Sequence, residues 1–511
     1  MKNMKKTTCI WTVLATAAFC SMPRETTGEE SHCNGITIFS PNLRTENSTI
    51  DKAYRLAIGD LLTNIQDYQN GLLEAPTPVI LAGLEYGRPW TRDASINSWN
   101  AGSLLVPDIA RNTLLSVLLK ERDGVRIAGQ YWDAIIWSTA AWHHYLCTGN
   151  REFLQTAFAA TRNSLAYFEK TEFDSRYGLF RGLGWSDGVA AYPNKYAQTN
   201  GDSAAWSWPK HNPDNRSKTG YGIPMMAAST NCLYYNAYKT AGRMAEELNL
   251  AHAEDWAAKA ERLKTSINRY LWNEETGVYR FYIDPESQCD YQETLANAYA
   301  ILFGIAGPTR TEKIFQHQYV APAGVPCGWP PLPRYEALGA NSFGRHNGTV
   351  WPQIQGMWAD VAARHQKRQA FAHELLALAT HAVRDMQFAE IYHPISGEKY
   401  GGWQEAGTRG IILWQATNRQ TWAATAYLRM VFAGLFGMRI ECDGIRFEPC
   451  VPKTFKKIAL SKLRYRNMRI DITVEGCGTK VETVRINGKR AENTHIPNTN
   501  AGHQSIEITL R

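Results

Sequence analysis

Between Thr49 and about Gly437 apolar residues recur at three- and four-residue spacing. The stretches Ala53–Tyr68, Trp99–Leu119, Tyr131–Leu146, Glu152–Phe168, Asn231–Leu248, Ala253–Leu271, Glu293–Ile305, Val350–Ala363, Ala370–Val383 and Arg419–Phe436 keep that period, which predicts helices. The helices fall in pairs. Between pairs run long segments rich in Gly, Trp, Tyr, Pro and Asp, which are poor candidates for simple connectors. A ring of helical hairpins would bury its apolar faces between two helical layers and gather these loops at one end, around a pocket.

After Gly437 the period changes to two. Gly444-Ile-Arg-Phe, Arg469-Ile-Asp-Ile-Thr-Val, Thr483-Val-Arg-Ile and Ser505-Ile-Glu-Ile-Thr-Leu alternate polar and apolar residues, and Asn487-Gly488 marks a tight turn. Residues 438–511 therefore read as a small antiparallel β module with nothing catalytic in it. At the other end, Lys2, Lys5 and Lys6 precede an apolar stretch from Cys9 to Phe19 that closes on Ala15, Ala17 and Ala18. That is the length of an export signal's core and too short to span a bilayer. Residues 1–20 are expected to be the signal, 21–48 an N-terminal segment, and the protein periplasmic or secreted. Cys20 is a candidate lipid anchor, although Phe19 stands where a small residue is usual. No later segment is long and apolar enough to be transmembrane.

Composition narrows the function. With 44% hydrophobic and 20% charged residues the chain is globular rather than disordered. Setting the three signal lysines against the net charge of +7 leaves +4, and no Lys/Arg cluster stands out, so nucleic acid is not the expected partner. Eight cysteines beyond the signal (Cys33, Cys147, Cys232, Cys289, Cys327, Cys442, Cys450 and Cys477) are scattered singly without a CxxC pair, which argues against zinc. Export permits disulfides, but buried free thiols are the simpler reading for most. There is no HExxH and no phosphate-binding glycine loop, so neither metal nor cofactor is expected. The 17 Trp and 24 Tyr either fill the core or stack on sugar rings in a cleft.

Cleaving a glycosidic bond takes two carboxyls, one to protonate the leaving oxygen and one to deal with the sugar cation or activate water. Asp187, in Gly182-Leu-Gly-Trp-Ser-Asp-Gly-Val, is flanked by Gly188 and close to Trp185. It can be a partly desolvated general acid, or a turn aspartate bonding its own backbone. Glu390, in Phe388-Ala-Glu-Ile-Tyr-His-Pro-Ile-Ser-Gly, can be the base or a solvated loop glutamate, and Glu405, in Gly402-Trp-Gln-Glu-Ala, is its rival. Further pocket candidates are Trp132 and Asp133, Asn231 after Ser229-Thr230, and His346, Asn347 and Trp351 in Arg345-His-Asn-Gly-Thr-Val-Trp-Pro. Their ordinary roles would be core packing and helix capping.

Three of these stretches resemble the loops of the six-hairpin (α/α)6-barrel glycosidases, the group of glucoamylases, trehalases and processing α-glucosidase I. Trp90-Thr-Arg-Asp-Ala is similar to a glucoamylase motif whose Arg and Asp bind the terminal sugar, which implies those roles for Arg92 and Asp93, beside Trp90. Gly-Trp-Ser-Asp-Gly around Asp187 resembles the general-acid loop, with one residue more than the trehalase Trp-Asp. Glu390-x-Tyr-x-Pro-x-Ser-Gly resembles the general-base loop, and the helix with Trp422-Ala-Ala-Thr-Ala-Tyr-Leu follows it. The resemblance spans roughly residues 50–437. It implies an (α/α)6 catalytic barrel over 49–437 and a hydrolase acting on an oligosaccharide or polysaccharide. The expected reaction is exo-acting, inverting cleavage of an α-linked, glucose-like terminal sugar. Alternatives on the same barrel are an α-L-rhamnosidase, a glycoside phosphorylase, or a polysaccharide-binding lipoprotein without catalysis.

Overall fold

The computed structural model describes residues 31–33, 36–38, 40–122, 124–250 and 255–511, with side chains from residue 40 onward. The expected export signal, the candidate anchor Cys20 and the Cys33 side chain lie outside the described residues. Twelve helices build the barrel. They are α1 (Ser48–Thr63), α2 (Thr91–Asn97, prolonged by a π-helical turn at Ser98–Gly102), α3 (Pro107–Ser116), α4 (Tyr131–Thr148), α5 (Arg151–Thr171) and α6 (Ala228–Glu247). Then come α7 (Trp256–Tyr270), α8 (Thr294–Leu302), α9 (Pro308–His317), α10 (Pro352–Arg364), α11 (Arg368–Asp385) and α12 (Thr421–Arg429, prolonged by a π-helical stretch at Met430–Leu435).

The even-numbered helices form a closed inner ring. Each of α2, α4, α6, α8, α10 and α12 packs on the next, and α12 returns to α2. Their sequences explain the placement. Inner helix α4 is buried on nearly every side, from Tyr131 through Cys147. Outer helix α1 buries one stripe only, Ile50, Ala53, Tyr54, Ala57, Ile58, Leu61 and Leu62, at the spacing of a surface helix. Outer helices α1 and α5 start on side-chain caps: Asn47 accepts from Thr49 N and Ile50 N, and Asn150 from Phe153 N.

Connections from an inner to the following outer helix are short; Gly149 and Asn150 alone join α4 to α5, with Gly149 at φ 70°. Connections in the other direction are long. The N-termini of all six inner helices, with the long loops before them, therefore lie at one end of the ring, and their dipoles point positive ends there.

The predicted helices are present with two revisions and one addition. The expected helix Ala53–Tyr68 stops at Thr63, where the Asn64 side chain bonds Asp60 O (2.9 Å) and Arg419 O (2.8 Å). Ile65–Tyr68 then pairs with Thr77–Ile80 as a two-stranded ladder. The expected helix Trp99–Leu119 is broken at Pro107, which has no N–H to continue α2 and opens α3 instead. Helix α9 buries little besides Thr311 and Ile314, too sparse a pattern to show in the sequence.

The C-terminal module holds a six-stranded sheet in the order Lys489–Arg490, Val481–Ile486, Gly502–Leu510, Met468–Glu475, Lys457–Tyr465, Asn42–Thr45. It is antiparallel except where Met468–Glu475 runs parallel to Gly502–Leu510. Its edge strand, Asn42–Thr45, comes from before α1. Strand Lys457–Tyr465 escapes the alternation rule because a bulge at Ser461-Lys462 breaks its period. Among the described residues no disulfide forms: Cys147, Cys232, Cys289, Cys327 and Cys450 are buried thiols, Cys477 is half-buried and Cys442 exposed.

Candidate active site

A pocket of about 170 Å³ opens at the loop end of the ring. Tyr86, Trp90, Arg92 and Asp93 reach it from the entry to α2, and Trp185, Ser186 and Asp187 from the long loop before α6. Arg345, His346 and Trp351 come from the entry to α10, Glu390 from the loop after α11, and Gln420 and Trp422 from the start of α12. Asp187 and Glu390, 203 positions apart (390 less 187), thus share one cavity.

The two carboxylates are held differently. Glu390 is 2% exposed. Its Oε2 accepts from Arg345 Nη2 at 2.6 Å and Thr417 N at 3.2 Å, and its Oε1 accepts from the Tyr86 hydroxyl at 2.9 Å. It is therefore not a solvated loop glutamate. Two carboxylate oxygens offer about four acceptor sites; with three filled, one remains on Oε1.

The Asp187 side chain is 48% exposed, and among the described residues its carboxylate accepts no hydrogen bond; Arg92 Nη1 stands 3.9 Å away. The turn-aspartate alternative fails, because the N–H of Gly188 goes to Ser186 Oγ at 3.0 Å. The loop glycines serve close packing. A Cβ at Gly188 would stand 2.5 Å from the His346 ring, so this residue passes directly over the imidazole. The exposed carboxyl is less desolvated than its Trp neighbour suggests.

Arg92 ties the sugar-binding candidates together. It bonds Asp133 Oδ2 at 3.0 Å and stands 3.7 Å from Asp93. Burial pushes Asp93 up to about 7 against the pull of Arg92, with Asp133 and Glu390 adding to the rise. Burial likewise lifts Asp133 to about 6, with Arg92 opposing and Asp187 assisting. The Arg92 charge is thus shared among three acids rather than spent on Asp187. His346 is stacked on Trp351 at 5.1 Å, and burial, followed by Arg345 and Arg92, holds its imidazole well below the ordinary range, so the ring is neutral. His346 Nδ1 faces Gly188 and the Gln404 side chain, whereas Trp422 Nε1 is buried in the pocket wall without a protein partner among the described residues. A bound sugar's hydroxyls can supply one.

Other expected site residues sit elsewhere. Trp132 belongs to the main core and Asp133 lies behind Arg92 rather than on the cavity wall. Asn231 is fully buried and clamps Phe180, bonding its N (2.8 Å) and O (3.0 Å). Asn347 holds the Pro330 loop, accepting from Leu332 N at 2.8 Å and donating to Pro330 O at 3.1 Å. Glu405 is outside the pocket, held by Arg334 Nε at 3.0 Å and the Tyr335 hydroxyl at 2.7 Å. Sequence reading missed Tyr86, Ser186, Arg345 and Gln420, though Ser186 and Arg345 stand inside the quoted Asp187 and His346 motifs. Among the described residues no His/Cys/Asp/Glu group is arranged to hold a metal, and no helix is long and apolar enough to cross a membrane.

Similar proteins share the fold. Among solved structures, a protein titled sialidase matches with a TM-score of 0.66 and 14% identity, over 90% of this chain and 41% of its own. A GH78 family rhamnosidase of a Bacillus species matches with a TM-score of 0.53 and 14% identity, over 93% of this chain and 45% of its own. The chain thus spans less than half the length of both. A GH63 mannosylglycerate hydrolase from Thermus thermophilus, in complex with glucose, matches with a TM-score of 0.55 and 15% identity, over 74% of this chain and 100% of its own. At these identities the likeness is one of fold, the (α/α)6 barrel. No curated protein matches the sequence. Residues 438–492 match the C-terminal domain of glycosyl hydrolase family 65. Residues 106–423, which carry α3 to α11 with Asp187 and Glu390, match the mannosylglycerate hydrolase MGH1-like glycoside hydrolase domain, and the chain belongs to that family of glycoside hydrolases.

Proposed function

We propose that the protein is an exo-acting, inverting glycoside hydrolase that removes one α-linked, glucose-like terminal sugar, with Asp187 as general acid and Glu390 as general base. The observation that carries this reading is the shared pocket: two acids from distant loops meet in a cavity sized for a single pyranose, walled by Trp185, Trp351 and Trp422. A cavity of that size favours a chain end over the middle of a polysaccharide. Asp187, which accepts no hydrogen bond among the described residues, gives its proton to the glycosidic oxygen as the C1–O bond breaks. Glu390, fixed by three donors, uses the open site on Oε1 to take a proton from the water that attacks C1 on the opposite face. The product sugar leaves with inverted configuration, and proton exchange with solvent resets both acids. Room for that water requires carboxyl groups about 6.5–9.5 Å apart. Arg92 and Asp93 bind hydroxyls of the sugar in this scheme.

A second reading changes only the substrate. The family's name points to an α-mannoside of glycerate, and Arg88, stacked 3.8 Å over the Trp90 ring at the pocket rim, offers a cation for a carboxylate on the leaving group. Proton NMR of turnover on α-glucosides, α-mannosides, mannosylglycerate and α-L-rhamnosides separates these. Release of the inverted anomer, abolished in Asp187→Asn and Glu390→Gln, is expected. Retained configuration, or full activity in Glu390→Gln, sinks the assignment, and a requirement for phosphate identifies a phosphorylase.

A further inference from the structure

One deeply buried acid has no part in the chemistry above. Glu293 ends the strand Gln288–Glu293 and stands just before α8, 1% exposed and, among the described residues, without an ion pair. Its Oε1 accepts from Trp185 N at 3.1 Å and Ser229 Oγ at 2.7 Å, and Ser229 N points at Oε2 from 3.4 Å. Thr230 Oγ1 donates to Leu183 O in the same seat. A Cβ at Gly184 would come within 2.8 Å of Glu293 Oε1, so only glycine lets the loop settle this close. Burial lifts the carboxyl to about 7, and the bonds from Ser229 and Trp185 oppose that rise.

Beyond Trp185 the loop is equally fixed. The Trp185 ring meets His346 at 5.4 Å and Trp351 at 5.1 Å. Ser186 O accepts from the Tyr192 hydroxyl at 2.5 Å, and Asp187 O from Ala205 N at 2.7 Å. The backbone on either side of Asp187 is pinned while its side chain is left free. From this arrangement we infer that Glu293 is a positioning residue for the general acid: it anchors Trp185 so that Asp187, two residues on, meets the leaving-group oxygen. The inference rests on Asp187 being that acid. Nothing else described accepts the Trp185 N–H, so removing the carboxylate unseats the loop at the point where it turns toward the pocket, and displacements of about 1 Å cost on the order of 100-fold in such sites.

The signature of a displaced acid differs from that of a damaged fold. Protonation matters most for a poor leaving group and little for one that departs as a stable anion. The test compares kcat/KM on methyl and 2,4-dinitrophenyl glycosides of the sugar the wild type cleaves, taken as a ratio within each protein so that the folded fraction cancels. Hydrogen–deuterium exchange over residues 183–188, which needs no substrate, is measured alongside. Glu293→Ala is expected to raise the dinitrophenyl-to-methyl ratio about 10-fold or more and to speed exchange in that segment. Glu293→Gln keeps an acceptor for Trp185 N and is expected within about 3-fold of wild type, as is Ser229→Ala, which leaves the anchor intact. Asp187→Asn must itself raise the ratio. If it does not, the reading of Asp187 fails. If it does, and Glu293→Ala leaves either the ratio or the exchange unchanged, the positioning inference alone is wrong.

Discussion

Arg345 and Glu390 form the strongest single contact in the pocket, and breaking it should be expensive. Both side chains are buried, exposed by 10% and 2%, and their atoms meet at 2.6 Å. Arg345→Met keeps most of the volume but leaves Glu390 an ionised group with two donors, Tyr86 and Thr417. It also frees the carbonyl of Gly401, which Arg345 Nη1 reaches at 2.9 Å. Removing one partner of a buried pair costs about 3–5 kcal/mol, most of it the penalty of the stranded charge. That is a large share of the roughly 5–15 kcal/mol that holds a domain together. Glu390→Gln strands the arginine instead, more mildly, because a neutral amide still accepts. The double variant strands nothing and should recover about half or more of the Arg345→Met loss. The assay is urea unfolding of the four proteins at pH 7, read as a double-mutant cycle. Additive losses, or an Arg345→Met cost under about 1 kcal/mol, would show that the pair is not coupled as its geometry requires.

Glu172 is fully buried with one oxygen on Tyr221 N at 2.9 Å and the other, among the described residues, unpartnered, and burial raises it from 4.5 to about 7. The folded state binds this proton more tightly, so its stabilisation is complete below pH 4.5 and lost as the pH rises to 7. Glu172→Gln should unfold like wild type at pH 4.5 and be about 3 kcal/mol more stable at pH 8, and a gap that does not grow with pH contradicts this. Glu405→Gln should lose about 1–3 kcal/mol in urea melts by weakening its Arg334 and Tyr335 bonds, while kcat/KM stays within about 3-fold; loss of turnover at wild-type fold would return Glu405 to the base role. Asn231→Ala should lose about 2–3 kcal/mol of folding stability for three buried bonds, seen as a lower melting point, without changing KM in the folded fraction; a raised KM would place Asn231 at the sugar.

What could be read from the chain follows from how local each signal is. Inner and outer helices announce themselves because a buried stripe fixes the apolar period, and the loop motifs around Asp93, Asp187 and Glu390 carry their acids on short, aromatic-rich stretches. Tyr86 and Arg345 were silent because each acts through Glu390, 304 and 45 positions away along the chain. Trp132 and Asn231 misled for the opposite reason. Both lie next to convincing motifs, but their side chains are buried in the core rather than on the pocket wall. The end of α1 at Asn64 was equally hidden, since the Arg419 carbonyl that caps it arrives from the far end of the barrel.

The strand Asn42–Thr45, seated on the edge of the C-terminal sheet, makes the two ends of the chain mutually dependent. During synthesis that strand emerges first and must wait for Lys457–Tyr465 before it has a partner, just as α2 waits for α12 to complete the ring. The hairpins can form as they appear, yet the final closure brings together Asn42 and Ser461, 419 positions apart (461 less 42), a slow kind of contact to find. Until then the unpaired strand and the open flank of the barrel are what a chaperone would see. A barrel expressed without its β module should therefore be a trapped intermediate with an exposed seam rather than a smaller enzyme.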